Sequence, residues 1–351
     1  MFNPRKTTVH RVSAEQPEAA IIAEAAAVLQ RGGLVAFPTE TVYGLGASAL
    51  DANAVEQIFA AKGRPPNNPV IVHVADATAA ERLTSKWSDV AARLAARFWP
   101  GPLTLVLPKR PEVPDMVTAG GPTVGLRVPA HPVALALLKA ADIPIAAPSA
   151  NRSTRISPTT AVHVLQGLDG RVDLILDGGP TPRGLESTVL DLTVDPPRVL
   201  RPGLVTLEQL RTVIGEAAIG DRSTACRQPS VLSPTEPLRS PGMLARHYAP
   251  RAKVVCVEAG NESVISKLLA ESNGVGWLRL EQLPATQISG VGRIKAVIDM
   301  PRDPAGYAAR LYAALHELDD AGVEYIVVDL PPTDDTWLAI HDRLRRAAQT
   351  E

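Results

Sequence analysis

Residues 32–50 read GGLVAFPTETVYGLGASAL, and their interpretation decides what kind of fold the chain builds. Leu34, Val35, Ala36 and Phe37 are apolar in a row, the pattern of a strand buried on both faces. Pro38 stops the run. Thr39, Glu40, Thr41 and Tyr43 follow, and then Gly44-Leu45-Gly46, which reads as a tight turn that glycine adopts at little cost. A buried strand that ends on several hydroxyls and one carboxylate is the mark of an α/β domain presenting a polar loop at a strand end.

The flanking segments continue that alternation. Pro17 to Gly33 has alanine-rich helical spacing with Gly32-Gly33 as the stop. Asp51 is placed to cap a helix that runs to about Lys62. Further strands are expected in NPVIVHVAD, PLTLVLPKR, TVGLRVP, IPIAAPSAN, VDLILDGG, STVLDLT and RVLRPG, with helices in SDVAARLAARFW, HPVALALLKAAD and TLEQLRTVIG. Strands and helices thus intermix over residues 1–216, as in an α/β domain with a twisted open sheet. Residues 217–252 are rich in Ser, Pro, Arg and Thr with little periodicity, the character of a long linker. Residues 253–351 resume the alternation as a smaller, Rossmann-like α/β domain. No Gly-x-Gly-x-x-Gly follows its first strand, so no dinucleotide is assigned to it.

Composition narrows the class. The 351 residues are 45% hydrophobic and 21% charged with net charge −1, an ordinary globular balance. Any affinity for nucleic acid must come from a local patch. The two cysteines, Cys226 and Cys256, form no Cys-x-x-Cys pair and indicate neither a zinc knuckle nor a disulfide framework. The N-terminus carries no signal-like apolar core and no stretch approaches membrane-spanning length, so a cytoplasmic location is expected.

No nucleophile–base pair stands out, and there is no Gly-x-x-x-x-Gly-Lys-Ser/Thr, Gly-x-Ser-x-Gly or His-Glu-x-x-His. The strand ends are polar instead: Thr39–Thr41, His73, Arg127, Ala147–Asn151, Ser187 and Arg201. In open α/β sheets ligands collect at such ends. Plainer roles compete. Thr39 and Thr41 suit turns, His73 suits a core histidine, and Lys62 with Arg64 suits a solvated helix end. Arg127, inside the apolar VGLRVP, requires an anionic partner. Together these residues describe a cationic, hydroxyl-lined hollow for a polyanion such as a triphosphate with a small carboxylate substrate, in which positioning and electrostatics carry catalysis.

Seven blocks stand in order: PTETVYGLG, KGRPPNNPVIVH, FWPGPLTLVL, TVGLRVPAH, APSANRSTRISPT, LESTVLDL and VLRPG. In these the chain resembles the YrdC-like family of L-threonylcarbamoyladenylate synthases over residues 15–215. SPGMLARHYAP and WLAIHDRLRRAA resemble the two-domain form with an extra C-terminal domain. The resemblance implies an enzyme that joins L-threonine, bicarbonate and ATP into threonylcarbamoyl-AMP and releases pyrophosphate. A downstream transferase then modifies a tRNA adenine beside the anticodon. It implies a threonine pocket at Thr41, His73, Arg127, Ala147 and Ser187. It implies ATP contacts at Arg64, Asn68, Thr123, Ser149, Ser157 and Arg201, with Lys62 nearby and His247 or Tyr248 closing over the site. No metal site on the protein is expected; Mg²⁺ is expected to arrive with ATP. Two positions depart from the pattern: Thr154-Arg155, where many relatives carry glycine, and His341, where asparagine is usual. Two other readings compete, a different carbamoyl-transfer enzyme and an RNA-binding module. The chain has no room for a second catalytic domain, and at 4% aromatic it lacks stacking platforms. The 217–252 segment reads either as a lid over the ATP–threonine site or as a stiff spacer.

Overall fold

The structure, a computed structural model, describes residues 6–215, 247–258, 262–272, 274–280 and 294–349. It divides into two compact units. The first holds most of the chain to residue 244; the second holds Ala245–Glu351 together with Thr154–Ser157 and Arg183–Leu185. The expected 217–252 linker lies outside the described residues up to 246, as does Cys226.

The first unit is built on ten strands. They are β1 (Thr8–Arg11), β2 (Val35–Pro38), β3 (Tyr43–Ser48), β4 (Ile71–His73), β5 (Leu103–Pro108), β6 (Thr123–Arg127), β7 (Ile145–Ala146), β8 (Leu174–Asp177), β9 (Thr188–Asp191) and β10 (Arg198–Arg201). The sheet order is β1-β8-β2-β3-β7-β4-β6-β5-β9-β10. Among the described residues eight helices accompany them: α1 (Ala19–Gln30), α2 (Ala52–Lys62), α3 (Ala77–Glu81), α4 (Asp89–Phe98), α5 (Asp115–Thr118), α6 (Pro132–Ala141), α7 (Ala161–Leu168) and α8 (Leu207–Ile214). Capping chemistry sets several boundaries. The Asp51 carboxylate accepts from Asn53 N and Ala54 N, and Gly63 closes α2 in the left-handed region at φ 63°. Thr206 and Gln209 form a reciprocal capping box at the start of α8.

The opening stretch is a hairpin, not a strand and a turn. β2 pairs antiparallel with β3, Phe37 opposite Gly44 and Val35 opposite Gly46. The glycines expected to turn the chain are extended strand residues. A Cβ on Gly46 would lie 2.8 Å from both Ile145 Cγ2 and Phe37 Cε1. Glycine is required there because two large side chains fill the space beside the backbone, not because of a special dihedral.

Alternation along the strands separates two faces. Leu34, Ala36, Leu45, Val72, Leu103, Leu105, Leu126 and Leu190 pack on one, in a single core with residues of α2, α4, α5, α7 and α8. On the other, Val35, Phe37, Ile145 and Ala147 pack with α1 and α6. That second face also carries Ile71, Val106 and Val189 in a small cluster of their own.

The second unit has four strands, β11 (Lys253–Val257), β12 (Val275–Arg279), β13 (Ile294–Asp299) and β14 (Tyr325–Asp329), ordered β11-β14-β12-β13. Every pair is parallel. With α9 (Glu262–Glu271), α10 (Pro304–Asp320) and α11 (Leu338–Ala347) they form the expected smaller α/β body. The sequence reading passes over β1, β13 and α7; their short runs, TVHR, IKAVID and AVHVLQGL, lack turn punctuation or long periodicity.

Candidate functional site

The sheet of the first unit is mixed, which changes where the polar strand ends fall. β2 and β7 run one way; β4 and β6 run the other, since β2–β3, β3–β7 and β7–β4 are all antiparallel and β4–β6 is parallel. The ends of β4 and β6, carrying His73 and Arg127, therefore lie at the edge opposite to the ends of β2 and β7. A common strand edge is thus the wrong description of the site. What the residues share is a face. His73, Thr104, Thr123, Arg127 and Ala147 all alternate out of step with the apolar residues of the large core. A cavity of about 370 Å³ opens on that face, lined by Ile71, Thr104, Val106, Thr123, Gly125 and Val189 among others. The loop after β2 nevertheless reaches Arg127 through Glu40 and Thr41.

Arg127 organises the first cluster. It is 4% exposed. Its Nε donates to Gly101 O at 3.2 Å and its Nη2 to Thr41 Oγ1 at 3.1 Å. Nη2 also pairs with Glu40 Oε1 at 2.7 Å, while Glu40 Oε2 accepts from Ala130 N at 3.0 Å. The anionic partner that an arginine in this strand requires is therefore Glu40, the carboxylate of the opening stretch, which the sequence reading did not place in the site. Its signal was available: one carboxylate among apolar and hydroxyl residues, facing one arginine in an equally apolar strand. The two threonines divide the work. Thr39 Oγ1 accepts from Thr41 N and Val42 N and donates to Val42 O, a turn former. Thr41 reaches Arg127.

His73 stands opposite Arg127 in the parallel β4–β6 register. It is buried, edge-on to Phe37 at 6.4 Å between ring centroids, and its Nδ1 has no hydrogen-bond partner. Burial, and then the neighbouring Arg127 charge, hold its pKa well below the usual histidine value. It is therefore neutral near pH 7. Its reading as a satisfied core histidine fails on the unpartnered nitrogen. Ala147, also buried, donates its N–H to Ile71 O at 2.9 Å.

A second cluster joins Ser187, Thr104 and Arg201. The Ser187 and Thr104 hydroxyls are 2.8 Å apart. Arg201 Nη2 donates to Ser187 Oγ at 3.1 Å, and Nε and Nη2 donate to Ser187 O. On the opposite edge, Lys62 Nζ donates to Ser149 O at 2.6 Å and to Asn151 O. The Ser149 hydroxyl in turn meets Asn151 Oδ1. Arg64 grips its own loop, from Nε to Asn68 O and from Nη2 to Asn68 Oδ1 and Pro69 O. Lys62 is 2% exposed and Arg64 8%, so neither is a solvated helix end. Burial first, then the Arg64 charge, push the Lys62 pKa well below its ordinary value. Thr123, half-buried, lines the cavity.

Ser157, His247 and Tyr248 belong to the second unit. There Ala249 N donates to Thr154 O, Ala249 bridges Arg155, and Ser157 O lies 3.2 Å from His316 Nε2. Tyr248, at φ 62°, stacks on Tyr312 and lies under the Arg343 guanidinium. His341 bonds Pro332 O through Nε2, a local contact of that unit.

Among the described residues no helix is long and apolar enough to cross a membrane. A family model for Sua5, YciO and YrdC proteins, described as telomere recombination, matches residues 27–203. A second, described as threonylcarbamoyl-AMP synthase, C-terminal domain, matches residues 205–349. The chain is 44% identical to the threonylcarbamoyl-AMP synthase of Pyrococcus abyssi, over 92% of this chain and 93% of the relative. It is also 44% identical to that of Bacillus subtilis, over 93% and 92%. The crystal structure of P. abyssi Sua5 complexed with L-threonine superposes with TM-score 0.87 at 42% identity, covering 97% of both chains. E. coli YciO superposes on 57% of this chain and 96% of its own, with TM-score 0.51 and 29% identity.

Proposed function

The chain belongs to the Sua5–YciO–YrdC family, as an enzyme of the threonylcarbamoyl-AMP synthase type, and on that footing we propose that it condenses L-threonine, bicarbonate and ATP. The threonine amine attacks the carbon of bicarbonate, a C–O bond of bicarbonate breaks, and water leaves, giving a carbamate. A carbamate oxygen then attacks the α-phosphorus of ATP, and the bond to the β-phosphate breaks. The products are threonylcarbamoyl-AMP, pyrophosphate and water. The adenylate is the substrate of a separate transferase that modifies tRNA beside the anticodon.

The observation that carries this reading is the state of Arg127. It is buried and held at Nε and Nη2, and no described residue accepts from its Nη1 edge. A buried guanidinium beside the Thr41 hydroxyl, with Nη1 engaged by no described residue, suits a carboxylate, here that of threonine. Thr41, Ala147 and Ser187 would line the same pocket. Neutral His73 adds a hydrogen-bonding nitrogen without a charge that would repel the substrate ammonium. Its depressed pKa makes it a weak base, so the amine proton leaves with the departing water or goes to solvent.

The ATP side would use Arg64, Asn68, Thr123, Ser149 and Arg201. Lys62 would act through the loop it holds, keeping Ser149 and Asn151 in place. Ser157, His247 and Tyr248 enter the ATP set on the family resemblance. No protein group forms a covalent intermediate; fixed donors around the phosphates stabilise charge that builds up as pyrophosphate leaves. Mg²⁺ is proposed to ride on the phosphate oxygens. Among the described residues no three of His, Cys, Asp or Glu converge to hold it, and no step here depends on it.

The test is pyrophosphate release from ATP by the full chain, with threonine and bicarbonate each supplied and omitted. Release that requires both supports the reading; release independent of threonine overturns it. Serine should be the weaker substrate by one methyl's worth, about 1–3 kcal/mol.

A further inference from the structure

We propose that Glu40 is a positioning and specificity residue of the amino-acid pocket: it aims Arg127 and, by matching its charge, makes the pocket select a zwitterion over a bare carboxylate. The inference rests on the proposed function above.

The geometry of the pair comes first. Arg127 and Glu40 are 4% and 6% exposed at their side chains and 2.7 Å apart. Glu40 is itself anchored, since its other oxygen accepts from Ala130 N. The guanidinium is a rigid planar fork. Gly101 O fixes it at Nε, while Thr41 and Glu40 fix it at Nη2. Those three contacts restrain the fork at Nε and Nη2 and leave Nη1 as the nitrogen they do not engage. Of the three, only Glu40 carries charge; its Oε1 meets Nη2 as an ion pair without hydrogen-bond geometry, so its hold on the fork is electrostatic.

Charge follows from the same contact. A buried Arg–Glu pair sums to zero. A ligand that brings a carboxylate and its own ammonium adds no net charge to this environment. A ligand with the carboxylate alone adds an uncompensated buried anion, which is costly. Without Glu40, Arg127 itself becomes the uncompensated charge, and the bare anion is then welcome. A merely structural Glu40 would leave this discrimination untouched.

The experiment uses the full chain and calorimetry with two ligands. They are L-threonine and 3-hydroxybutyrate, which keeps the carboxylate and hydroxyl but lacks the amine. Glu40→Gln is expected to weaken threonine about tenfold to a hundredfold, through loss of the buried charge that pairs with Arg127. It should leave affinity for a non-hydrolysable ATP analogue within about twofold, since no ATP-side residue bonds Glu40, and it should narrow the preference for threonine over 3-hydroxybutyrate. Glu40→Asp keeps the charge but withdraws the oxygens by one methylene. It should weaken threonine while preserving the preference, and it decides the matter if Glu40→Gln does not fold. A folded Glu40→Gln with native threonine affinity and native preference overturns the inference, as does loss of the preference in Glu40→Asp. If the unsubstituted chain itself binds no threonine, it is the proposed function that falls.

Discussion

The two units bury charge in opposite ways. In the second, Asp342 is 6% exposed and accepts from Arg343, Arg345 and Arg346. Asp329 accepts from Trp277 Nε1 and Leu280 N. Those carboxylates are spent on holding their own fold. In the first unit, the contacts of Arg127 engage Nε and Nη2, His73 Nδ1 has no partner, and a cavity lies on the face that carries them. Burying a charge is expensive in either place. What separates the two cases here is the cavity that shares a sheet face with the Arg127 pair.

The largest test of that contrast is Asp342→Ala. It strands up to three arginines and should cost about 3–5 kcal/mol of stability, measured by denaturant unfolding. Threonine affinity per folded molecule should not change. If it falls as well, the two kinds of buried charge are not separable. Arg127→Ala comes next and should do the converse for the ligand. Threonine binding should weaken by about 1.5–3 kcal/mol, with ATP affected less, while Arg201→Ala should weaken ATP more than threonine. Calorimetry with each ligand reads the pattern, and an unchanged threonine isotherm for folded Arg127→Ala would refute the assignment.

Gly46→Ala probes the packing behind the polar loop. Its methyl would meet Phe37 and Ile145 at 2.8 Å, an overpacking that should cost about 1–3 kcal/mol. A native melting temperature would mean that the hairpin simply gives way.

The smallest effect is in pH. Burial depresses the His73 pKa below its ordinary 6.5. As pH falls through 6.5, the unfolded chain gains a proton that the native chain does not. Stability should therefore drop with acidification, with up to about 1.4 kcal/mol per pH unit from this group until the native pKa is reached. His131 and His316 are shifted the same way, so the His73 share is read as the difference from His73→Gln. Equal slopes would remove His73 from the account.

Much of this molecule is legible in its residues. Asp51, Gly63, Ser88 and Thr206 mark helix ends by chemistry that acts within four residues. The unbroken apolar run from Leu34 to Phe37, and the succession of such strands with helices along the chain, announces the mixed α/β class. An arginine in VGLRVP announces a buried anion. All of these are local or compositional statements, and the family blocks add ordered spacing.

The direction of each strand is not local. Whether β4 runs with β7 or against it depends on connections tens of residues long, and that choice moved His73 and Arg127 to the edge opposite the ends of β2 and β7. Likewise Gly44 and Gly46 look like a turn until Phe37 and Ile145 occupy the space a side chain would need. The partner of Arg127 is the sharpest case. Sequence by itself determined that a buried guanidinium must find an anion, because its charge cannot be left unpaired out of water. Only the tertiary structure decided that Glu40, 87 positions away in the chain, takes Nη2 and leaves Nη1 for something else, because pairing across a sheet depends on distances that the order of residues does not contain.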